Sequence, residues 1–319
     1  MRSLSGIQPS GEAHIGNYLG AIRQHVATPG IYFVADYHSM TSVRNAEERR
    51  AHVHELVLDY LACGFDTEHS IFYRQSDLPE TAELAWMLTT VTPMGLLQRA
   101  TSYKDKVSAG IPADHGLFAY PVLQAADILQ FNPDIVPVGQ DQKQHVEMTR
   151  DIATKFNQTY GREVFKLPEP QIHEDVAVVP GVDGRKMSKS YENTLRMFWP
   201  EKKLRKAIMA IVTDSTPVEE PKDTGQTVFQ LWSLFATSAE REEMFERAGR
   251  GGLGYGDVKK DLFGRVMDHF GPMRERREAL AAGKNTVEEV LREGAERARE
   301  IAGPIWEEAR RAAGLGPAS

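Results

Sequence analysis

Short apolar runs alternate with longer helical patterns up to about residue 180, and only helical periodicity follows. This predicts an α/β protein: a Rossmann-like parallel-sheet domain followed by a C-terminal all-helical domain. The size agrees. With 319 residues, 41% of them apolar and 26% charged, the chain has enough material for about two domains of ~150 residues, each with its own core.

Four apolar runs read as strands: Leu4 to Gln8, Ile31 to Asp36, Ser70 to Ser76 and Asp134 to Gly139. Helical spacing predicts helices between them, from Ile15 to Val26, Glu47 to Cys63, Pro79 to Thr90, Gly116 to Phe131 and Gln140 to Tyr160. Pro79 sits where a helix start tolerates proline. Gly181-Val182-Asp183-Gly184 is a flexible turn, after which Glu201 to Ile211, Val228 to Phe235, Asp257 to Ala282 and Thr286 to Ala313 read as helices. Gly249 to Gly256 reads as a loop. The expected organisation is a sheet domain over 1–185, a helical domain over 186–283, and a C-terminal helix over 284–319 that packs back toward the first domain.

Composition excludes several function classes. A single cysteine, Cys63, cannot form an internal disulfide. Ten scattered histidines show no metal-site spacing, which argues against structural zinc or an iron–sulfur cluster. The start Met1-Arg2-Ser3-Leu4 has no basic and apolar leader, and no apolar run approaches the ~20 residues of a membrane span. The expectation is a soluble, cytoplasmic protein with no membrane partner. A formal charge of −7 argues against nonspecific coating of nucleic acid, yet leaves room for local basic patches that hold one structured RNA.

Two strings carry chemistry. Ser5-Gly6-Ile7-Gln8-Pro9-Ser10-Gly11-Glu12-Ala13-His14-Ile15-Gly16-Asn17 runs from a strand through a small-residue turn into a helix start. This is the place where α/β sheets bind nucleotides: Gly16 admits a phosphate or base, and the helix start offers free N–H groups at a positive dipole end. His14 and Asn17 add donors. A simple capping loop would share much of this composition. The second string, Gly184-Arg185-Lys186-Met187-Ser188-Lys189-Ser190, places two lysines and two hydroxyls on a glycine-flanked loop that can close on a triphosphate and stabilise departing pyrophosphate.

Together the strings resemble those of the class I aminoacyl-tRNA synthetases. Ser5 to Gly20 (SGIQPSGEAHIGNYLG), Val136 to Asp151 (VPVGQDQKQHVEMTRD) and Lys186 to Ser190 are similar to the signatures of the tryptophanyl family. The resemblance implies ATP-dependent activation of tryptophan and its esterification to tRNA(Trp) by a homodimer, with the helical domain reading the anticodon. It places ATP against Gln8, Pro9, Ser10, His14, Gly16 and Asn17, with Gly139, Gln140 and Asp141 at the opposite strand end. Val179 corresponds to a position against adenine, and Lys186, Met187, Ser188, Lys189 and Ser190 cover the phosphates. His14, Asn17, Lys186, Ser188 and Lys189 would carry catalysis. Lys104 and Lys106 can either reach the phosphates as well or form a solvated helix face. Mg2+ would enter with ATP, with no metal ligand from the protein.

For the amino acid, Tyr120, Gln124 and Asp127 share one face of an otherwise apolar helix at i, i+4 and i+7. A buried carboxylate needs donors, and an indole N–H is donor-only, so Asp127 can accept it. Asp127 can equally cap a loop or pair with an internal arginine. On that face Tyr120 and Gln124 can receive the ammonium and carboxylate; the resemblance implies that Gln142 joins Tyr120 at the ammonium and that His38, otherwise a structural histidine after a strand, lines the pocket. The tyrosyl enzymes share the Tyr-x-x-x-Gln-x-x-Asp pattern. Leu4 stands where eukaryotic and archaeal tyrosyl enzymes carry a tyrosine, and it suits an indole ring better than a phenol. Gln124 and Gln140 depart from the methionine and glutamate common in bacterial tryptophanyl enzymes. A tryptophan-binding paralogue with a regulatory role is a third reading. No nucleophile or general base is needed, because the substrate carboxylate attacks the α-phosphorus itself. Basic runs at Lys202 to Lys206, Arg274 to Arg277 and Arg292 to Arg299 are candidate RNA faces, or salt-bridged surface.

Overall fold

The structure is a computed structural model that describes residues 3–100, 114–172, 178–283 and 285–316. Strands β1 (Leu4–Ile7), β2 (Ile31–Val34) and β3 (Ile71–Arg74) form a parallel sheet in the order β1-β2-β3, with Leu4 opposite Ile31 and Ile31 opposite Ile71. All four residues of β2 are buried, so this strand is a continuous apolar run rather than an alternating one. A second parallel pair joins β4 (Ile135–Val138) to β5 (Glu169–Ile172), and β4 approaches β1.

Parallel neighbours require crossovers. The first consists of α1 (Ile15–Asn17), a π-helical turn (Tyr18–Ile22) and α2 (Arg23–Ala27); α3 (Asp36–Ser39) and α4 (Ala46–Ala62) form the second. Next come α5 (Glu80–Val91), α6 (Met94–Gln98) and α7 (His115–Leu129), and α8 (Lys143–Tyr160) joins β4 to β5. Beyond residue 200 come α9 (Glu201–Met209), α10 (Thr227–Ser233), α11 (Ser238–Arg250), α12 (Tyr255–Ala282) and α13 (Thr286–Ala312).

Three elements depart from the sequence expectation. Glu169-Pro170-Gln171-Ile172 has no apolar run, yet it forms β5 because β4 supplies a ladder and Arg150 donates to the Pro168 carbonyl at 2.9 Å beside it. Helix α11 buries only Ala248, so hydrophobic spacing does not reveal it; a reciprocal cap between Thr237 and Glu240 starts it. Gly249 and Arg250 therefore belong to a helix, and the loop is shorter than expected. The helix from Ile15 is interrupted by the π turn directly after the first motif.

The apolar cores do not follow sequence order. One joins Ile15, Tyr18, Leu56 and Phe72 to Leu204, Trp232, Val266 and Phe270. The other joins Leu4, Phe33, Val122 and Ala126 to Ala295, Ala298 and Trp306 of α13. Helix α13 lies on β3 so closely that a Cβ on Gly294 would come within 1.9 Å of the Phe72 carbonyl oxygen.

Two of the three basic runs act as struts between the halves of the chain. Arg274 donates to the carbonyls of Met197 and Trp199 at 2.5 and 2.7 Å, and Arg276 to that of Ala62 at 2.8 Å. Arg277 pairs with Asp59 at 2.8 Å and with Glu55. On α13, Arg297 donates to Thr67 and Ser70 carbonyls at 2.6 and 3.0 Å, and Arg299 to that of Asp77 at 2.7 Å. Of the two readings of these runs, RNA face or paired surface, these contacts favour pairing for the residues named.

Replacing Gly294 with alanine should destabilise the protein by at least about 1–3 kcal/mol, because the obstacle is backbone and cannot rotate away. A lower denaturation midpoint with an unchanged m-value would show it.

Candidate active site

The first motif follows β1. His14 is the N-cap of α1: its Nδ1 accepts the Asn17 N–H at 3.1 Å, while Asn17 Oδ1 accepts the His14 N–H at 3.1 Å. Burial, with Lys189 and Arg196 nearby, lowers the imidazole pKa to about 4. His14 is therefore neutral at pH 7, and because Nδ1 accepts, its proton sits on Nε2 as a donor. A Cβ on Gly16 would lie 3.0 Å from His14 Nδ1, so a side chain there would crowd the cap. Gln8 and Ser10 are exposed and Pro9 is buried, and Gln8 donates to Ser42 Oγ at 3.3 Å.

The second motif leaves a tight hairpin in which Pro180 bridges Lys186, the Met187 N–H donates to the Val179 carbonyl at 2.8 Å, and Gly184 takes φ +83°. Buried Asn193 organises it. Its Oδ1 accepts the Ser188 N–H at 2.8 Å, and its Nδ2 donates to Asp183 Oδ1 at 2.7 Å and the Lys186 carbonyl at 3.1 Å. Val179 and Met187 are core residues, whereas Lys186 and Ser190 are exposed.

The motifs meet at Lys189. Its ammonium donates to the carbonyls of Ser10 and Gly11 at 2.7 and 3.0 Å and to Ser10 Oγ at 3.1 Å. Desolvation, reinforced by Arg196, lowers its pKa to about 8. Arg196 bridges the His14 backbone and pairs with Glu12 at 2.8 Å. A cleft of about 200 Å³ opens here between Ser10, Gly11, Glu12, His52, Glu55 and Arg196. A cavity of about 330 Å³ in the helical part contains no motif residue.

A second polar cluster is built around Asp127, which is 1% exposed on α7. Its Oδ1 accepts Gln75 Nε2 at 2.7 Å, and its Oδ2 lies 2.8 Å from His38 Nε2. Burial raises the Asp127 pKa against the opposing pull of His38 and Gln75. Tyr120 Oη is 3.1 Å from His145 Nε2, His145 Nδ1 is 2.8 Å from Gln142 Oε1, and Gln124 Nε2 reaches the same oxygen at 3.5 Å. Gln142 ends the short turn Gln140–Gln142 that follows β4 and is capped by Gly139; the Asp141 backbone lies in that turn. Leu4 is buried behind α7 in the core that holds Val122 and Ala126.

His38, Gln75 and Gln142 follow the carboxyl ends of β2, β3 and β4, the edge where open α/β sheets bind ligands. Lys104 and Lys106 lie outside the described residues. Sequence reasoning missed Gln75, His145, Asn193 and Arg196. Gln75 and His145 fall within recognised elements, but nothing in their spacing signals a buried polar network.

Residues 1–271 match the model of the class I tRNA synthetases (W and Y). The chain belongs to that family. Within it, the chain is 53% identical over 305 residues to the tryptophan–tRNA ligase of Fusobacterium nucleatum, covering 94% of each chain. It is 50% identical to that of Rhodopirellula baltica, covering 99% of this chain and all of the other. The tryptophanyl-tRNA synthetase of Campylobacter jejuni, solved with ADP and tryptophan, superposes with a TM-score of 0.93 at 47% identity, covering 99% of this chain and 100% of that one. Family membership establishes the Rossmann-like fold class. Among the described residues, no helix is long and apolar enough to cross a membrane.

Asn193→Ala removes the centre of the hairpin and leaves the Ser188 N–H without its acceptor. The expected loss is about 1–3 kcal/mol of global or local stability, read as faster amide exchange over residues 181–190.

Proposed function

We propose that the chain is a tryptophan–tRNA ligase. It forms tryptophanyl-adenylate and pyrophosphate from tryptophan and ATP, then transfers tryptophan to the 3′ end of tRNA(Trp). The observation that carries this reading is the seating of Lys189 on Ser10 and Gly11, which joins two motifs 179 positions apart in sequence. The near-full-length identity to tryptophan–tRNA ligases supports tryptophan over tyrosine as the substrate.

The residues divide the work as follows. His14 Nε2–H faces the triphosphate, with Gln8, Pro9, Ser10, Gly16 and Asn17 shaping that surface and Gly139, Gln140 and Asp141 opposite. Lys189 exchanges its carbonyl partners for phosphate oxygens, while Lys186, Met187, Ser188 and Ser190 complete the cover and Val179 backs the adenine. Magnesium arrives as part of the ATP substrate. Asp127 accepts the indole N–H: each carboxylate oxygen accepts more than one donor, so His38 and Gln75 do not exhaust it. Tyr120 and Gln142 receive the ammonium, Gln124 and His38 line the pocket, and Leu4 packs behind it. Catalysis consists of positioning and charge stabilisation, with donors aimed at the pentacoordinate phosphorus and the leaving pyrophosphate.

Residues 1–185 with the loop Lys186 to Ser190 form the catalytic part, the helical part that follows to residue 283 reads the anticodon, and α13 packs back on the sheet. Exposed Lys202, Lys203, Arg205 and Lys206 on α9 are the basic face that suits RNA, with the Lys203 ammonium 4.2 Å over Trp199. Trp86 and Met94, 69% and 62% exposed, supply apolar surface for a homodimer. We read the protein as cytoplasmic, a compartment that supplies both ATP and tRNA. Pyrophosphate exchange with tryptophan and with tyrosine, followed by charging of total tRNA, tests the reading; exchange with tyrosine alone would overturn it.

Asp127→Asn should raise the KM for tryptophan by about ten- to a hundredfold, as expected for the loss of a charged hydrogen bond worth about 1.5–3 kcal/mol, and leave ATP binding nearly intact. The pH profile gives a separate expectation. Lys189 loses its proton as pH rises through about 8 in the free enzyme, so kcat/KM for ATP should fall across that value. Lys189→Arg, charged throughout, should remove the fall.

A further inference from the structure

Helix α12 of the helical part grips the first motif on both sides. Before the motif, Asp59 of α4 is fully buried: its Oδ2 accepts the Ala13 N–H at 3.0 Å and its Oδ1 accepts Arg277 Nε of α12 at 2.8 Å. Arg277 also holds Glu55. After the motif, Tyr18 Oη lies 3.1 Å from His269 Nε2, and its ring meets Phe270 edge-on with centroids 5.0 Å apart, both residues on α12. Tyr18 opens the π turn. Between Ala13 and Tyr18, the two residues so held, stand His14 and Asn17.

We propose that Asp59 and Arg277 are a positioning pair for the first motif: through the Ala13 N–H they set the backbone that carries the His14 cap, and they tie its placement to the seating of α12. The proposal rests on the ATP-site reading above. Neither side chain is required to meet substrate. Ala13 immediately precedes the N-cap, so a shift of its amide is a shift of His14, whose Nε2–H must point at a phosphate. Asp59 has no solvent to fall back on, which makes Arg277 the condition for its remaining a carboxylate: burial raises its pKa, and Ala13 and Arg277 pull it down. A purely structural ion pair would need only mutual neutralisation. The Ala13 bond is what adds a positioning role.

Two double variants separate these cases. Asp59→Asn/Arg277→Met removes the buried charges but keeps an acceptor for the Ala13 N–H, whereas Asp59→Leu/Arg277→Met removes charges and acceptor together. Tryptophan-dependent pyrophosphate exchange is measured against ATP and against tryptophan, with the thermal midpoint of each variant. The asparagine variant should keep kcat/KM for ATP within about threefold of wild type, and the leucine variant should lose about tenfold or more, the scale of one buried hydrogen bond. KM for tryptophan should be the same in both. Equal ATP kinetics in the two variants would overturn the proposal, as would a loss that falls equally on ATP and tryptophan. Should the leucine variant not fold, Asp59→Ala/Arg277→Met carries the same comparison with a smaller side chain. Absence of tryptophan-dependent exchange in the wild type would instead defeat the functional reading on which the comparison depends.

Discussion

Parallel strands impose one constraint from which the site follows: all of them run the same way, so their carboxyl ends share an edge. The residues after β1, β2 and β3 are thereby gathered in space, although the chain spaces them tens of residues apart, and α7 links them to the end of β4 through Asp127, which meets His38 and Gln75, and Gln124, which meets Gln142. Gln8, His38, Gln75 and Gln142 each follow one of these ends. The helix dipole of α1 adds its positive end to the same edge. A polar site at this edge is a consequence of the topology.

The electrostatics of the two clusters run in opposite directions. Around His14 and Lys189 both groups have lowered pKa values: each is desolvated and each feels Arg196, an effect on Lys189 that Glu12 and Asp59 only partly offset. Such a site is incomplete without an anion. Backbone carbonyls of Ser10 and Gly11 hold the ammonium in place, a weaker partner than phosphate oxygens. Around Asp127 the situation is reversed. A buried carboxylate is surrounded by donors and by the imidazole of His38, an environment suited to a ligand that brings one more donor and no charge of its own at that end.

The helical part is not an appendage. It shares a core with the π turn and α4, and Arg274, Arg276 and Arg277 of α12 serve as ties to backbone carbonyls and a buried acid rather than as a free basic surface. Helix α13 returns to lie on β3, a contact permitted only by the absence of a side chain at Gly294.

How much of this was legible in the sequence depends on whether the signal is local. The strands β1 to β4, the long helices and both motifs were legible because apolar runs, helical period and literal strings are local properties. Helix α11 and β5 were not, since one hides its single buried residue in a polar face and the other exists through its neighbour's ladder. Asp127 stood out as a polar residue on an apolar helix, but its partners His38 and Gln75 lie 89 and 52 positions away. Arginine runs look alike in sequence whether they face RNA or carbonyls. The sequence by itself determined the class of sheet, the motifs and the chemistry they support. Only the tertiary structure decided which charges are paired, which are buried and which helix holds the first motif, because pairing and desolvation depend on distances that chain folding sets between remote residues.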